Sequence, residues 1–108
     1  MDINLAASQL AELGHPVRLK IIRLLVKAGP QGLEVNEIKS AVVCPGSTLS
    51  HHISRLLKVG LLRQERNGRI LNCHAQYKEL NKLVSYLFEE CCSDDVSGKS
   101  SHNNCCDQ

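Results

Sequence analysis

Five stretches with helical spacing of apolar residues, and an Asn-Gly hairpin signal between the fourth and the fifth, predict a mainly α fold of winged helix-turn-helix type. The expected architecture is about five helices with a two-stranded β wing. At 108 residues the chain has room for one modest core. Aromatic residues make up only 3% of it, so that core must be Leu, Ile and Val with a little Phe.

The elements follow in order. Ile3, Ala6, Ala7, Leu10 and Leu13 recur at helical spacing after a capping Asp2 and before Gly14. Pro16 suits the first position of a second helix, with an inner stripe of Val17, Ile21, Leu24 and Leu25, and Gly29-Pro30 ends it. His15 reads as a cap or turn residue between the two. A shorter helix carries Val35, Ile38 and Val42, and Cys44-Pro45-Gly46 makes the turn after it.

In the fourth helix Leu49, Ile53, Leu56 and Leu57 are expected to face inward. Thr48, Ser50, His51, Ser54, Arg55 and Lys58 are left outside, with His52 near the boundary. Short hydroxyls, histidines and an arginine after a tight turn suit a helix that reads DNA bases while basic groups hold phosphates. Two short extended runs, 62–65 and 70–75, then flank Arg66-Asn67-Gly68-Arg69. Asn-Gly favours a two-residue hairpin because both positions accept positive φ, and the arginines make its tip basic.

Residues 77–90 read as a last helix with Tyr77, Leu80, Val84, Leu87 and Phe88 on one stripe that continues to Cys91. This stripe and the first helix are candidates for a dimer interface. Beyond it the chain loses periodicity and is expected to be disordered without ligand. The division is thus a DNA-binding and dimerisation domain over 1–92 and a cysteine-containing tail over 93–108.

Charge follows the same division. Residues 47–78 carry six basic side chains against Glu65, whereas residues 89–108 carry five acidic ones against Lys99. The basic middle suits double-stranded DNA and the acidic end should stay off it. No apolar run approaches the roughly 20 residues that cross a bilayer, and the N-terminus lacks a signal-peptide pattern. A cytoplasmic protein with no membrane partner is expected. No phosphate loop, carboxylate pair or Cys-x-x-Cys suggests an enzyme.

Leu13-Gly14-His15-Pro16-Val17-Arg18-Leu19, Ser47-Thr48-Leu49-Ser50-His51-His52-Ile53, Gly60-Leu61 and the wing glycine Gly68 together resemble the ArsR/SmtB family of bacterial metalloregulatory repressors. The resemblance spans roughly residues 3–92. It implies a homodimer that sits on operator DNA and leaves it when an inducer binds. The DNA contacts expected from the helix face and the wing are Ser47, Thr48, Ser50, His51, His52, Arg55, Arg66 and Arg69.

The inducer site departs from two patterns known in that family. The stretch 33–38 holds no thiol where a Cys-Val-Cys arsenic site would lie, and 77–90 holds no Asp or His for a zinc site. The match is to members in which a cysteine pair ends the last helix and a further cysteine comes from the tail. Cys91 and Cys92 fit the pair, and Cys105 or Cys106 the third ligand.

Neighbouring cysteines favour a soft ion over a strained bond to each other, because adjacent Cα atoms lie about 3.8 Å apart, below the usual disulfide span of roughly 4.4–6.8 Å. Trivalent arsenic or antimony takes three thiolates, and a methylated arsenical takes two. Cys105 follows Cys92 by thirteen positions, and a flexible segment that long spans about 20 Å, enough to return to the pair or to reach a partner subunit. Zinc, and thiol redox sensing by the same fold, are the alternatives. Cys44 and Cys73 read as packing residues, and His102 as a weak further ligand.

Overall fold

The computed structural model describes residues 1–94. Five helices are laid down in the order α1 (Ile3–Leu13), α2 (Pro16–Ala28), α3 (Val35–Ala41), α4 (Gly46–Lys58) and α5 (Tyr77–Phe88). Three strands accompany them: β1 (Leu33–Glu34), β2 (Leu62–Asn67) and β3 (Ile70–Ala75).

The first two helices start where their caps dictate. Asp2 Oδ2 accepts from the backbone N–H of Asn4 at 3.1 Å and of Leu5 at 3.3 Å. His15 caps α2, its Nδ1 accepting from Val17 N at 3.1 Å, and Pro16 fills the first helical position, where no backbone N–H is missed. Glu37 Oε1 accepts from Glu34 N at 2.9 Å and fixes the first turn of α3.

The sheet is larger than the sequence suggests. Instead of two strands it has three, in the order β1-β3-β2, all antiparallel. Leu33 pairs with Cys73 and Glu34 with Asn72, so the entry into α3 is stitched to the wing. The close approach depends on Gly32, at φ +70°. A Cβ there would meet the Cys73 carbonyl oxygen and lie 2.6 Å from His74 Nδ1. Two residues give no periodicity, which is why this strand is invisible to pattern.

The wing turn is also one residue displaced. Asn67 pairs with Ile70 across the ladder, leaving Gly68 and Arg69 as the two loop residues. Gly68 alone takes positive φ, +64°; this matches the hairpin turn with glycine first, rather than one with Asn and Gly both left-handed. Arg69 therefore stands on the tip itself, and Arg66 one pair behind it, opposite Leu71.

One core joins the helices to the sheet. Ile21 and Leu25 of α2, Ile38 of α3, Leu49, Ile53 and Leu56 of α4, and Leu62 and Cys73 of the sheet are all buried in it. Leu57, expected inside, is 36% exposed. Phe88, the only phenylalanine, is half exposed, so the core is aliphatic throughout. Leu83 of α5 is buried and so belongs to its own subunit, whereas Val84, Leu87 and Phe88 face outward.

Candidate nucleic-acid interface and cysteine turn

Helix α4 begins at Gly46 behind Pro45, with no side chain capping its first turn. Its free N–H groups, and the exposed Ser47, Thr48, Ser50 and His51, form one outward surface. Such a helix end favours an anion, and short hydroxyls beside it can reach phosphate or base edges. The opposite side, carrying Leu49, Ile53 and Leu56, is locked into the core.

His52 does not share that surface. It is only 5% exposed, its Nδ1 lies 3.0 Å from Arg18 Nη1, and its ring centroid is 4.6 Å from that of His15. Burial lowers its pKa, and the positive charge of His15, Arg18 and His51 adds to the effect. A neutral ring accepting from Arg18 is the form that fits. The expected DNA contact by His52 therefore gives way to a packing role between α2 and α4. Two adjacent histidines on a helix point roughly 100° apart, so periodicity alone leaves open which one turns inward.

Arg55 is exposed in part but engaged. Its Nε and Nη2 each donate to a Glu12 oxygen at 3.0 Å, a two-pronged pair across the α1–α4 contact. Arg18 Nε lies 3.3 Å from Glu12 Oε1 and donates to the Glu12 carbonyl at 2.8 Å. The hydrogen bond from Arg55 is the main reason the Glu12 carboxyl sits below its ordinary range, and Arg18 and His51 add to it. Sequence spacing gave no sign of Glu12, because its partner lies 43 residues away.

At the wing, Arg66 and Arg69 are exposed, and neither has a carboxylate partner among the described residues. Arg63, by contrast, lies 3.2 Å from Glu65 Oε2. His74 holds the base of the wing, its Nδ1 3.1 Å from the Pro30 carbonyl.

The cysteine pair lies just beyond α5, not on it. The helix ends at Phe88, and Cys91 N donates to Phe88 O at 2.9 Å in the turn that follows. Glu90 and Cys92 both take left-handed φ, 61° and 65°, a conformation non-glycine residues adopt sparingly. This bent backbone sets the half-buried sulfurs of Cys91 and Cys92 3.4 Å apart. Two thiolates bound to one ion at about 2.3 Å each can be separated by up to about 4.6 Å, so the spacing fits joint coordination when both sulfurs are reduced.

Among the described residues no three His, Cys, Asp or Glu side chains converge as a metal site. Cys105, Cys106 and His102 lie outside the described residues. Cys73 is buried and burial raises its thiol pKa, and Cys44 sits half-buried ahead of Pro45. Neither joins the pair.

Residues 13–65 match a helix-turn-helix domain family. The fold is similar to that of an ArsR-like transcriptional regulator from Rhodococcus sp. RHA1, at 22% identity and TM-score 0.74, with 88% of this chain and 87% of that one covered. It is similar as well to the transcriptional repressor BigR from Xylella fastidiosa, at 27% identity and TM-score 0.65, covering 83% and 89%. Reduced HlyU from Vibrio cholerae N16961 aligns at 22% identity and TM-score 0.65, covering 82% and 90%. No curated protein matches in sequence. The matched domain is a DNA-binding fold, and the Rhodococcus and Xylella proteins are transcriptional regulators rather than enzymes. Among the described residues no helix is long and apolar enough to cross a membrane.

Proposed function

We propose that this chain, which has the winged helix-turn-helix fold of ArsR-like regulators, is a homodimeric transcriptional repressor released from operator DNA by trivalent arsenic or antimony. The observation that carries the reading is the pair of sulfurs 3.4 Å apart at the end of α5, the same helix whose Val84, Leu87 and Phe88 are exposed.

In the DNA-bound dimer each α4 enters a major groove, with Ser47, Thr48, Ser50 and His51 toward the bases. Arg66 and Arg69 lie on flanking phosphates or in the minor groove. The exposed apolar side chains of α5, with Ile3 and Leu10 of α1, form the subunit interface. Inducer at Cys91, Cys92 and a thiol from Cys105 or Cys106 shifts the terminal helices against each other. The spacing of the two reading helices changes, and DNA affinity falls by a coupling free energy of about 1–3 kcal/mol.

A second reading has a specific observation in its favour: Cys92 is disulfide-bonded. In that case the same turn senses oxidants, and reduction restores the repressor. One titration separates the two. Bound DNA is followed against arsenite, methylarsenite, antimonite, zinc and a disulfide-forming oxidant. Release by arsenicals from fully reduced protein supports the first reading; release by the oxidant alone supports the second.

A further inference from the structure

We infer that Gln9 is a positioning residue that couples the sensing helix α5 to the reading helix α4, a step that rests on the regulatory reading above and adds the route it takes. Gln9 lies on α1 and is 0% exposed. Its Nε2 donates to the Val59 carbonyl at 2.9 Å and lies 3.5 Å from Glu79 Oε1. Val59 caps the C-terminal end of α4, where carbonyls lack helical partners, and Glu79 stands in the first turn of α5. One amide therefore touches the end of the reading helix and the start of the sensing helix.

Packing does not explain an amide at this place. Its Oε1 is buried with no donor among the described residues, so an apolar side chain of equal length would fill the space without an unmet acceptor. Rotating the amide would set that oxygen against a carbonyl and a carboxylate, so its two acceptors fix its orientation. What the amide supplies, and an apolar side chain cannot, is a bond joining three helices. A second tie lies alongside, Gln76 N donating to Leu61 O at 2.9 Å.

The cysteine turn is at the far end of α5. Twelve residues make a rod about 18 Å long, which tilts as a unit when its end is pulled. Tilt moves Glu79 relative to Val59, and Gln9 cannot then keep both contacts. The unmet Oε1 leaves the joint incompletely satisfied, so a second arrangement that supplies a donor competes with the first. A contact with two arrangements, each favoured by one ligand, is the physical requirement for coupling.

Coupling is reciprocal, so DNA alone tests it. Amide hydrogen exchange is measured across α5 in the full chain, with and without a duplex selected by the wild-type protein. The readout is the first turn of α5, including Leu80 N, which is bonded to Gln76 O at 3.0 Å. DNA is expected to slow exchange there by roughly fivefold or more in the wild type, and by under about twofold in Gln9→Met. Gln9→Met keeps the length and removes both the donor and the unmet oxygen; a melting curve confirms that it folds. Gln9→Glu, with a carboxylate facing Glu79, is expected to uncouple in the same way. Equal protection in wild type and variants, or none in the wild type, overturns the inference. Arsenite added to the same samples reports on the sensing reading separately. Wild-type protein that stays on DNA at saturating arsenite removes that reading, and the exchange comparison still decides Gln9.

Discussion

Glu12 binds Arg55 through both carboxylate oxygens, each at 3.0 Å, and so an acidic residue of the first helix neutralises a cation on α4, the candidate reading helix. In the DNA complex proposed above, phosphate and Glu12 would compete for the same guanidinium. Glu12→Gln is therefore expected to raise DNA affinity and to steepen the dependence of log affinity on log salt by about 0.9, the effect of one more phosphate contact. The double change Arg66→Ala with Arg69→Ala, which removes two wing cations that have no carboxylate partner among the described residues, should flatten that slope by up to about 1.8. Fluorescence anisotropy over a salt series measures both. A Glu12→Gln slope equal to that of the wild type would mean that Arg55 does not meet phosphate.

The second expectation concerns pH. His52 has a folded-state pKa below its ordinary value, because burial and the neighbouring cations disfavour its charged form. The unfolded chain takes up the proton first as pH falls, so the stability contributed by neutral His52 is present above about 6.5 and is lost as pH drops through the lowered folded value. Glu12 adds a loss at lower pH, through its own depressed carboxyl. Melting temperature should fall as pH drops below about 6.5 in the wild type. His52→Asn, whose carbonyl can still accept from Arg18, should show a smaller fall in that window. An identical pH profile in wild type and variant would remove His52 as the cause.

The order of helices, the exposed polar face of α4 and the basic wing were legible in the sequence because each depends on local spacing or on turn residues. Asp2 and Pro16 mark helix starts that the structure places within a residue, while Gly46, read as part of a turn, is the first residue of α4. What stayed hidden depends on contacts between distant segments. β1 is too short to show a period, and its pairing needs Cys73 some forty residues later. Which histidine of the 51–52 pair is buried depends on Arg18 and His15, and the engagement of Arg55 depends on Glu12. In the candidate sensing site the residue types were legible, but not the left-handed turn at Glu90 and Cys92 that brings the sulfurs together. Helical periodicity simply carried α5 two residues too far.

Leu83 and Leu87 lie one turn apart on α5 and should respond differently. Leu83 is 3% exposed within its own subunit, while Leu87 is 57% exposed. Leu83→Arg would bury a charge without a partner, so it is expected to unfold the domain rather than to make a monomer. Leu87→Arg should leave a folded monomer that binds DNA at least about tenfold more weakly, the loss expected when a second half-site no longer adds to affinity. Sedimentation and circular dichroism distinguish the cases. A folded, dimeric Leu87→Arg protein would place the interface elsewhere.

The cysteines give the sharpest contrast between ligands. Cys91→Ser or Cys92→Ser should leave DNA binding intact and abolish release by arsenite, because a hydroxyl is too hard a donor to replace the thiolate. Cys105→Ser and Cys106→Ser should each be mild if either thiol can complete the site. The double change should then harm the arsenite response more than the methylarsenite response, since the inorganic ion needs three thiolates and the methylated one needs two. Thirteen positions separate Cys92 from Cys105, and closing such a loop costs on the order of 2 kcal/mol beyond a constant. That is small beside roughly 10 kcal/mol or more for metal–thiolate binding, so loop closure should not mask the loss of a ligand. A chain ended after Cys92 applies the same test in one protein. Full arsenite release there would show that the tail is dispensable, and would move the third ligand to a partner thiol or solvent. Release of the full chain by oxidant, with no response to any arsenical, would assign the turn to redox sensing instead.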